Sequence, residues 1–140
     1  MASEELAAVQ ELLRGIDLGH LTIPERRAAF ESAASPPPPG TTVEPVDAGG
    51  VPAEWVIAAG ADSHRVLLYL HGGAYQGGSP ATLRRMIALI SAAAQARVLS
   101  VDYRLAPEHP HPAGSDDCLA VARWVVERRS SSLSQNETLS

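Results

Sequence analysis

Several residue types and patterns are missing from this 140-residue chain, and each absence excludes a class of protein. All eleven basic residues are arginine, they are scattered, and the formal net charge is -5. A basic face for nucleic acid is therefore excluded, and we expect no nucleic-acid partner. Because Cys118 is the only cysteine, no internal disulfide can form. The first residues lack the basic start and apolar stretch of a signal peptide, and no apolar run approaches membrane-spanning length, which predicts a cytoplasmic protein without a membrane span.

Metal and cofactor signatures are also missing. His109 and His111 are separated by a proline and have no clear third ligand, so no metal site is predicted. The chain has neither a G-x-x-x-x-G-K-[ST] loop nor a G-x-G-x-x-G fingerprint. Asp102 superficially fits the acidic residue of a nucleotide-binding α/β domain, but the glycines before it do not fit. We therefore expect no bound cofactor.

The front of the chain is predicted to form a helical cap segment over residues 1–35. Hydrophobic periodicity indicates one helix at 3–14. A second helix at 23–33 follows the sequence TIPE, a capping box that starts at Thr22 and places proline in the first turn. Four prolines and a glycine at 36–40 cannot continue a helix and predict a stiff, extended linker.

Residues 41–129 predict an α/β core, with a sheet carrying helices on both faces. A glycine turn at 48–50 joins the first two strands into a hairpin. The nearly continuous apolar run at 65–70 predicts a strand buried on both faces. The remaining tail, 130–140, is serine-rich and aperiodic, and we expect it to be disordered. The predicted core elements are strands 42–47, 53–58, 65–70 and 97–101, a helix capped by Ser79, and a helix at 114–128.

The sequence HGGAY at 71–75 stands between a predicted strand and a predicted helix. Such a glycine turn leaves backbone N–H groups pointing into a cleft, where they can stabilise an oxyanion. Glycines also let the backbone approach a substrate closely. Taken alone, this segment fits a tight strand-to-helix turn without a catalytic role equally well.

A second segment, SVDYRLAPEHP at 100–110, makes the pattern specific. The two segments in this order resemble the hormone-sensitive-lipase-like esterase family of α/β-hydrolases. The resemblance implies a partial α/β-hydrolase sheet, a carboxylic-ester hydrolase with a serine acyl-transfer mechanism, and oxyanion-hole donors in the backbone N–H groups of Gly72, Gly73 and Ala74. The family usually has glycine where Ala74 stands. Alanine is tolerable there if φ is negative and harmful if φ is positive.

The resemblance also assigns supporting roles. His71 would orient the glycine turn rather than act as general base. Asp102, Tyr103, Arg104 and Glu108 would form a structural polar network behind the site. An arginine in such a network can fork two hydrogen bonds to one carboxylate and pin a loop.

The family's catalytic serine, in Gly-Asp-Ser-Ala-Gly, has no counterpart among the 140 residues, nor do the acid and histidine that follow it. We therefore expect an N-terminal fragment that is inactive alone and would act on a small-molecule ester only when completed. An unpaired edge at the strand 65–70 would allow self-association. The alternative is a non-catalytic or vestigial ligand-binding fragment, since the same family includes gibberellin receptors, which bind a ligand without turning it over.

Overall fold

The computed structural model describes residues 3–15 and 20–137, with the side chains of 12–14 and 129–137 left out. It contains every helix and strand predicted from the sequence, which confirms the α/β class. The elements are α1 (Glu4–Gly15), α2 (Ile23–Ser32), β1 (Thr42–Asp47), β2 (Pro52–Ile57), β3 (Asp62–Tyr69), α3 (Pro80–Ala94), β4 (Ala96–Val101) and α4 (Ala113–Glu137).

The four strands form one mixed sheet in the order β1-β2-β4-β3. β1 and β2 pair antiparallel, which confirms the predicted hairpin, and the Asp47 carboxylate accepts the Gly50 N–H at 2.7 Å inside its turn. β3 and β4 run parallel and are joined through α3. Parallel neighbours need such a crossover, and their carboxyl ends then meet at the same edge of the sheet.

The two long helices α3 and α4 pack on opposite faces of the sheet. Successive residues of β4 point to opposite sides, so Val98 and Leu99 belong to different apolar clusters. The α3 cluster contains Val56, Ile87, Ala88 and Val98; the α4 cluster contains Ala53, Leu99, Val101, Tyr103 and Val121. This arrangement confirms the prediction of helices on both faces.

Strand β3 departs from the sequence prediction. The expectation that the apolar run at 65–70 is buried on both faces is wrong, because Leu67 is 38% exposed and Leu70 is 47% exposed. Among the described strands β3 pairs only with β4, so it lies at the edge of the sheet. An edge strand lacks a neighbour that would help cover its side chains.

The last helix also differs from its prediction. It ends at Glu137 rather than near residue 128, so the expected disorder of 130–140 is wrong for residues 130–137. No glycine or proline follows Gly114, and serine and asparagine each cost a helix only a few tenths of a kcal/mol. A helix once nucleated therefore continues through this stretch. The rest of the predicted tail, 138–140, lies outside the described residues.

The cap segment contains both predicted helices. At the start of α2 the Glu25 carboxylate accepts the Thr22 N–H at 2.7 Å and the Thr22 hydroxyl at 2.6 Å; the first of these bonds is the glutamate half of the capping box that the sequence predicts. Leu6 and Val9 of α1 are about half exposed, and no residue of α2 is buried. Nowhere in the described part of the chain is a helix both long enough and apolar enough to cross a membrane.

Candidate functional site

The two motif segments lie side by side at the carboxyl ends of β3 and β4. The first, 71–79, leads from β3 to α3 and is called the glycine loop below; the second, 102–112, leads from β4 to α4 and is called the proline loop. The Ala106 N–H donates to the Tyr75 carbonyl at 2.7 Å and joins the two loops directly. The parallel pairing of the two strands thus brings together segments that are far apart in sequence.

The shape of the glycine loop depends on glycine at two positions. At Gly73, where φ is +136°, a Cβ would overlap the Gly77 carbonyl. At Gly78, where φ is +84°, a Cβ would overlap the Gly72 carbonyl. The Gln76 and Gly77 N–H groups both donate to the Gly73 carbonyl at 3.0 Å, so the loop closes on itself.

Three consecutive carbonyl groups at the start of the loop are held by protein donors. The Tyr103 hydroxyl donates to the His71 carbonyl, the His71 ring lies 2.9 Å from the Gly72 carbonyl through Nδ1, and the Gly73 carbonyl accepts the two N–H groups named above. In a planar trans peptide the next N–H points opposite to the C=O. The N–H groups of Gly72, Gly73 and Ala74 therefore point away from the residues that hold the loop.

These three N–H groups remain available as donors. None of them donates to another residue in the ranges 3–15 and 20–137, and Gly72, Gly73 and Ala74 are exposed. A Cβ built on Gly72 would meet nothing within 4 Å, so open space lies beside the donors. Oriented, unpaired N–H groups beside open space can bind an oxyanion or another anionic group.

Ala74 has φ +54° and Tyr75 has φ +58°. Both residues are thus in the left-handed region, which costs a non-glycine residue about 1–2 kcal/mol. Alanine at position 74 therefore has a positive φ, the case in which it is harmful. The loop keeps this conformation because the carbonyls of residues 71–73, before Ala74, and the Tyr75 carbonyl, after it, are all held by hydrogen bonds.

His71 and Tyr103 support the loop from below. Their rings stack with centroids 4.2 Å apart and planes 11° apart, and both residues are buried. Because a carbonyl can only accept, the His71 ring must carry its proton on Nδ1 to bond the Gly72 carbonyl. His71 Nε2 is buried and has no partner among the described residues. Through Nδ1 the ring thus contacts the glycine loop at the Gly72 carbonyl.

Arg104 fastens the proline loop to α4. Its Nε and Nη2 donate to the two oxygens of Asp117 at 2.9 and 2.7 Å, and its backbone N–H donates to Asp117 Oδ2 at 2.9 Å. The hydrogen bond from Arg104 lowers the pKa of Asp117. The first turn of α4 lies so close that a Cβ at Gly114 would be 2.9 Å from the Arg104 carbonyl, which explains a glycine near the start of this helix.

Arg27 is the site residue that the sequence analysis missed. It extends from α2 and donates through Nε to the Gln76 carbonyl at 2.6 Å and through Nη2 to the Ala106 carbonyl at 2.8 Å. The same guanidinium forks onto the Glu108 carboxylate at 2.8 and 2.9 Å and lowers the pKa of Glu108 to about 2. No periodicity or local motif marks a contact between residues this far apart in sequence.

Asp102 is not joined to these contacts. Its side chain is exposed and makes no hydrogen bond within the described residues. Partial desolvation raises the pKa of Asp102, with a smaller contribution from Glu54, while His71 opposes the shift. Glu54 is buried and paired with Arg84 of α3, the two side chains meeting at 2.7 and 2.9 Å. Within 3–15 and 20–137, no three His, Cys, Asp or Glu side chains form a group that could hold a metal ion.

The family resemblance predicts one polar network that contains Asp102, Tyr103, Arg104 and Glu108. The structure brings Tyr103 to His71, Arg104 to Asp117, and Glu108 to Arg27, in three separate pairings around the two loops.

Comparison with known proteins gives consistent matches. A family described as alpha/beta hydrolase fold matches residues 67–138, about half of the chain. An acetyl-hydrolase of Streptomyces hygroscopicus is 40% identical over 137 residues, covering 91% of this chain and 44% of the relative. Carboxylesterase NlhH of Mycobacterium tuberculosis is 50% identical over 66 residues, covering 47% of this chain and 21% of the relative.

Solved structures agree with these relatives. A crystal structure of EstE5 soaked with p-nitrophenyl butyrate has a TM-score of 0.85 at 39% identity, and an esterase from the bacterial hormone-sensitive lipase family has 0.81 at 39% identity. Each of these two matches covers 91% of this chain and 44% of the other. The chain thus spans less than half the length of the curated relatives and solved chains it matches.

Proposed function

The chain belongs to the α/β hydrolase fold family, and from this premise we propose that it supplies the oxyanion-binding part of a carboxylic-ester hydrolase. The observation that carries the proposal is the set of three exposed N–H groups at Gly72, Gly73 and Ala74. Their direction is fixed because the carbonyls of residues 71–73 are all held on the opposite side. The esterase and acetyl-hydrolase relatives support an ester as substrate.

The chemistry follows from that geometry. When a serine attacks an ester, the carbonyl oxygen gains a negative charge in the tetrahedral intermediate. Fixed donors aimed at this oxygen stabilise the transition state, and a single donor contributes roughly 3–4 kcal/mol. In this proposal the N–H groups of Gly72, Gly73 and Ala74 receive that charge. His71 and Tyr103 touch no substrate and only hold the donors.

We propose that the nucleophile comes from residues outside these 140. Ser79 lies in the sequence GGSPA, which lacks the second glycine of G-x-S-x-G, and its hydroxyl accepts the Thr82 N–H as the cap of α3. Ser100 is buried in β4. We therefore propose that this chain alone forms no acyl-enzyme, and that a serine, an acid and a histidine complete the site.

A hybrid protein tests the proposal. The 140-residue chain would replace the aligned region of the Streptomyces hygroscopicus acetyl-hydrolase, and both the chain and the hybrid would be assayed with p-nitrophenyl acetate and butyrate and labelled with a fluorophosphonate probe. We expect turnover and labelling from the hybrid and neither from the chain. The matched control is the hybrid with its nucleophilic serine changed to alanine.

Two results would overturn the proposal. A hybrid that purifies as a folded monomer but neither hydrolyses the esters nor reacts with the probe would show that these loops do not serve acyl transfer. Probe-sensitive turnover by the chain alone, abolished by Ser79→Ala or Ser100→Ala, would show that the nucleophile lies within these 140 residues.

The second candidate is ligand binding without turnover, and it is favoured by the lack of any serine in a G-x-S-x-G turn. It predicts that an anionic ligand such as butyrate shifts the amide resonances of Gly72, Gly73 and Ala74, while the hybrid stays inactive. The partner in either case is a small molecule. We also propose that a second copy of the chain can pair with this one through β3. The cytoplasmic location stays a prediction.

A further inference from the structure

Arg27 makes contacts that an ordinary surface ion pair does not make. Its Nη1 and Nη2 donate to the two oxygens of the Glu108 carboxylate, and this pair of hydrogen bonds fixes the plane of the guanidinium. Held in this plane, the guanidinium also donates to the carbonyls of Gln76 and Ala106, which belong to different loops. The Arg27 side chain is 25% exposed, so most of its surface is covered by these contacts.

The contact with Gln76 continues into the glycine loop. Arg27 fixes the carbonyl of the peptide that joins Gln76 to Gly77, and the N–H of the same peptide donates to the Gly73 carbonyl at 3.0 Å. The peptide that follows the Gly73 carbonyl carries the Ala74 N–H on its opposite side. Two planar peptides therefore connect the guanidinium of Arg27 to one of the three exposed donors.

The contact with Ala106 closes the arrangement. The Ala106 carbonyl accepts from Arg27, while the Ala106 N–H donates to the Tyr75 carbonyl at 2.7 Å. One side chain of α2 thus holds the glycine loop and the proline loop in a single relative position. Ala74 and Tyr75, both in left-handed backbone conformations, lie inside the segment that is held.

We propose that Arg27 is a positioning residue through which the seating of α2 fixes the direction of the Ala74 N–H and the alignment of the two loops. This inference rests on the proposed function, in which the Ala74 N–H is one of the oxyanion donors. Glu108 orients the guanidinium, and the guanidinium in turn fixes the positions of the Gln76 and Ala106 carbonyls. When α2 is displaced, the 76–77 peptide loses its external partner and the donor loses its fixed direction.

The first test measures hydrogen exchange in the 140-residue chain. Arg27→Gln should accelerate exchange of the Gln76, Gly77 and Ala106 amides by about tenfold or more, because one guanidinium with four hydrogen bonds is lost. Arg26→Gln is the matched control, since Arg26 precedes Arg27 on the same helix and makes no side-chain hydrogen bond to the described residues. Glu108→Gln keeps both carbonyl acceptors and should accelerate exchange less than Arg27→Gln.

A variant with the two charged residues swapped distinguishes a positioning role of Arg27 from simple ion pairing. The double variant Arg27→Glu with Glu108→Arg can restore the ion pair, but a glutamate cannot donate to the two carbonyls. We expect it to leave the Gln76, Gly77 and Ala106 amides exchanging as fast as in Arg27→Gln. Recovery of the original protection in this double variant would overturn the proposal, as would unchanged exchange in Arg27→Gln.

The second test uses the hybrid described above. Arg27→Gln should lower kcat by about tenfold with little change in KM, because misdirected donors lose transition-state stabilisation rather than substrate binding. Arg27→Lys, which keeps the charge but not the fork, guards against loss of folding and should give an intermediate kcat. An active hybrid whose kcat is unaffected by both variants would refute the role of Arg27 alone, whereas an inactive parent hybrid would refute the proposed function.

Discussion

Arg27 and Glu108 lie 81 residues apart in sequence and form a two-pronged ion pair at 2.8 and 2.9 Å. The pair connects the helical cap segment to the loop that follows β4, and the same guanidinium connects that loop to the glycine loop. No residue of α2 is buried. Its connection to the two loops is made by the polar contacts of Arg27. We therefore expect the attachment of α2 through this ion pair to weaken at low pH and at high salt.

The Glu108 carboxylate predicts an acid-sensitive contribution to stability. Its pKa is about 2 in the folded chain against an ordinary value of 4.5, so the carboxylate is preferentially ionised in the folded state. The stabilisation is therefore fully present above pH 4.5 and is lost as the pH falls toward 2. Urea unfolding at several pH values between 6 and 2 should show a smaller decrease in unfolding free energy for Arg27→Gln than for the parent.

Asp117 provides an internal reference for that experiment. Its pKa is also lowered, by Arg104, and this contribution persists when Arg27 is changed. Arg26→Gln on α2 is the matched control, because it removes the same positive charge from the same helix, and the pH dependence of its unfolding free energy should follow that of the parent. Equal acid sensitivity of Arg27→Gln and the parent would contradict the assignment of the lowered Glu108 pKa to Arg27.

Ala74→Gly should stabilise the chain. Ala74 has φ +54°, where alanine is strained and glycine is not, and the relief exceeds the extra entropy of glycine in the unfolded state. The expected gain in unfolding free energy is about 0.5–1 kcal/mol, measured by urea denaturation. Ala81→Gly in the first turn of α3 is the matched control and should have the opposite sign. Destabilisation by both changes would show that Ala74 does not adopt the left-handed conformation.

The two neighbouring glycines should respond differently to the same substitution. A Cβ at Gly73 would overlap the Gly77 carbonyl, whereas a Cβ at Gly72 would meet nothing within 4 Å. Gly73→Ala should therefore cost more than about 2 kcal/mol of unfolding free energy, and Gly72→Ala less than about 0.5 kcal/mol. In the active hybrid, Gly72→Ala should still reduce kcat/KM, because its methyl group enters the space that a substrate would occupy. Equal stability losses for the two variants would contradict the loop geometry.

The sequence predicted the local features of this chain well because their causes are local. The hairpin at Asp47 and Gly50, the Ser79 cap of α3 and the alternation along β4 depend on residues within a few positions of each other. Arg27 could not be predicted, since its four acceptors belong to segments brought close only by the completed fold. The left-handed conformation of Ala74 likewise could not be predicted, because the backbone dihedral angles of a loop depend on the contacts that hold the loop on each side.

Strand β3 has the unpaired edge that the sequence analysis predicts for residues 65–70, and this edge leads to the last prediction. Its apolar sequence is typical of an internal strand, but in the described sheet it has a neighbour on one side only. An exposed edge with apolar side chains pairs readily with another strand, and an added charge opposes such pairing. If β3 mediates self-association, Leu67→Lys should shift the chain toward monomer in sedimentation velocity over a range of concentrations. Leu119→Lys, at an exposed position on α4, should leave the distribution unchanged. A parent chain that is monomeric at all concentrations, or equal effects of the two variants, would exclude β3 as the contact.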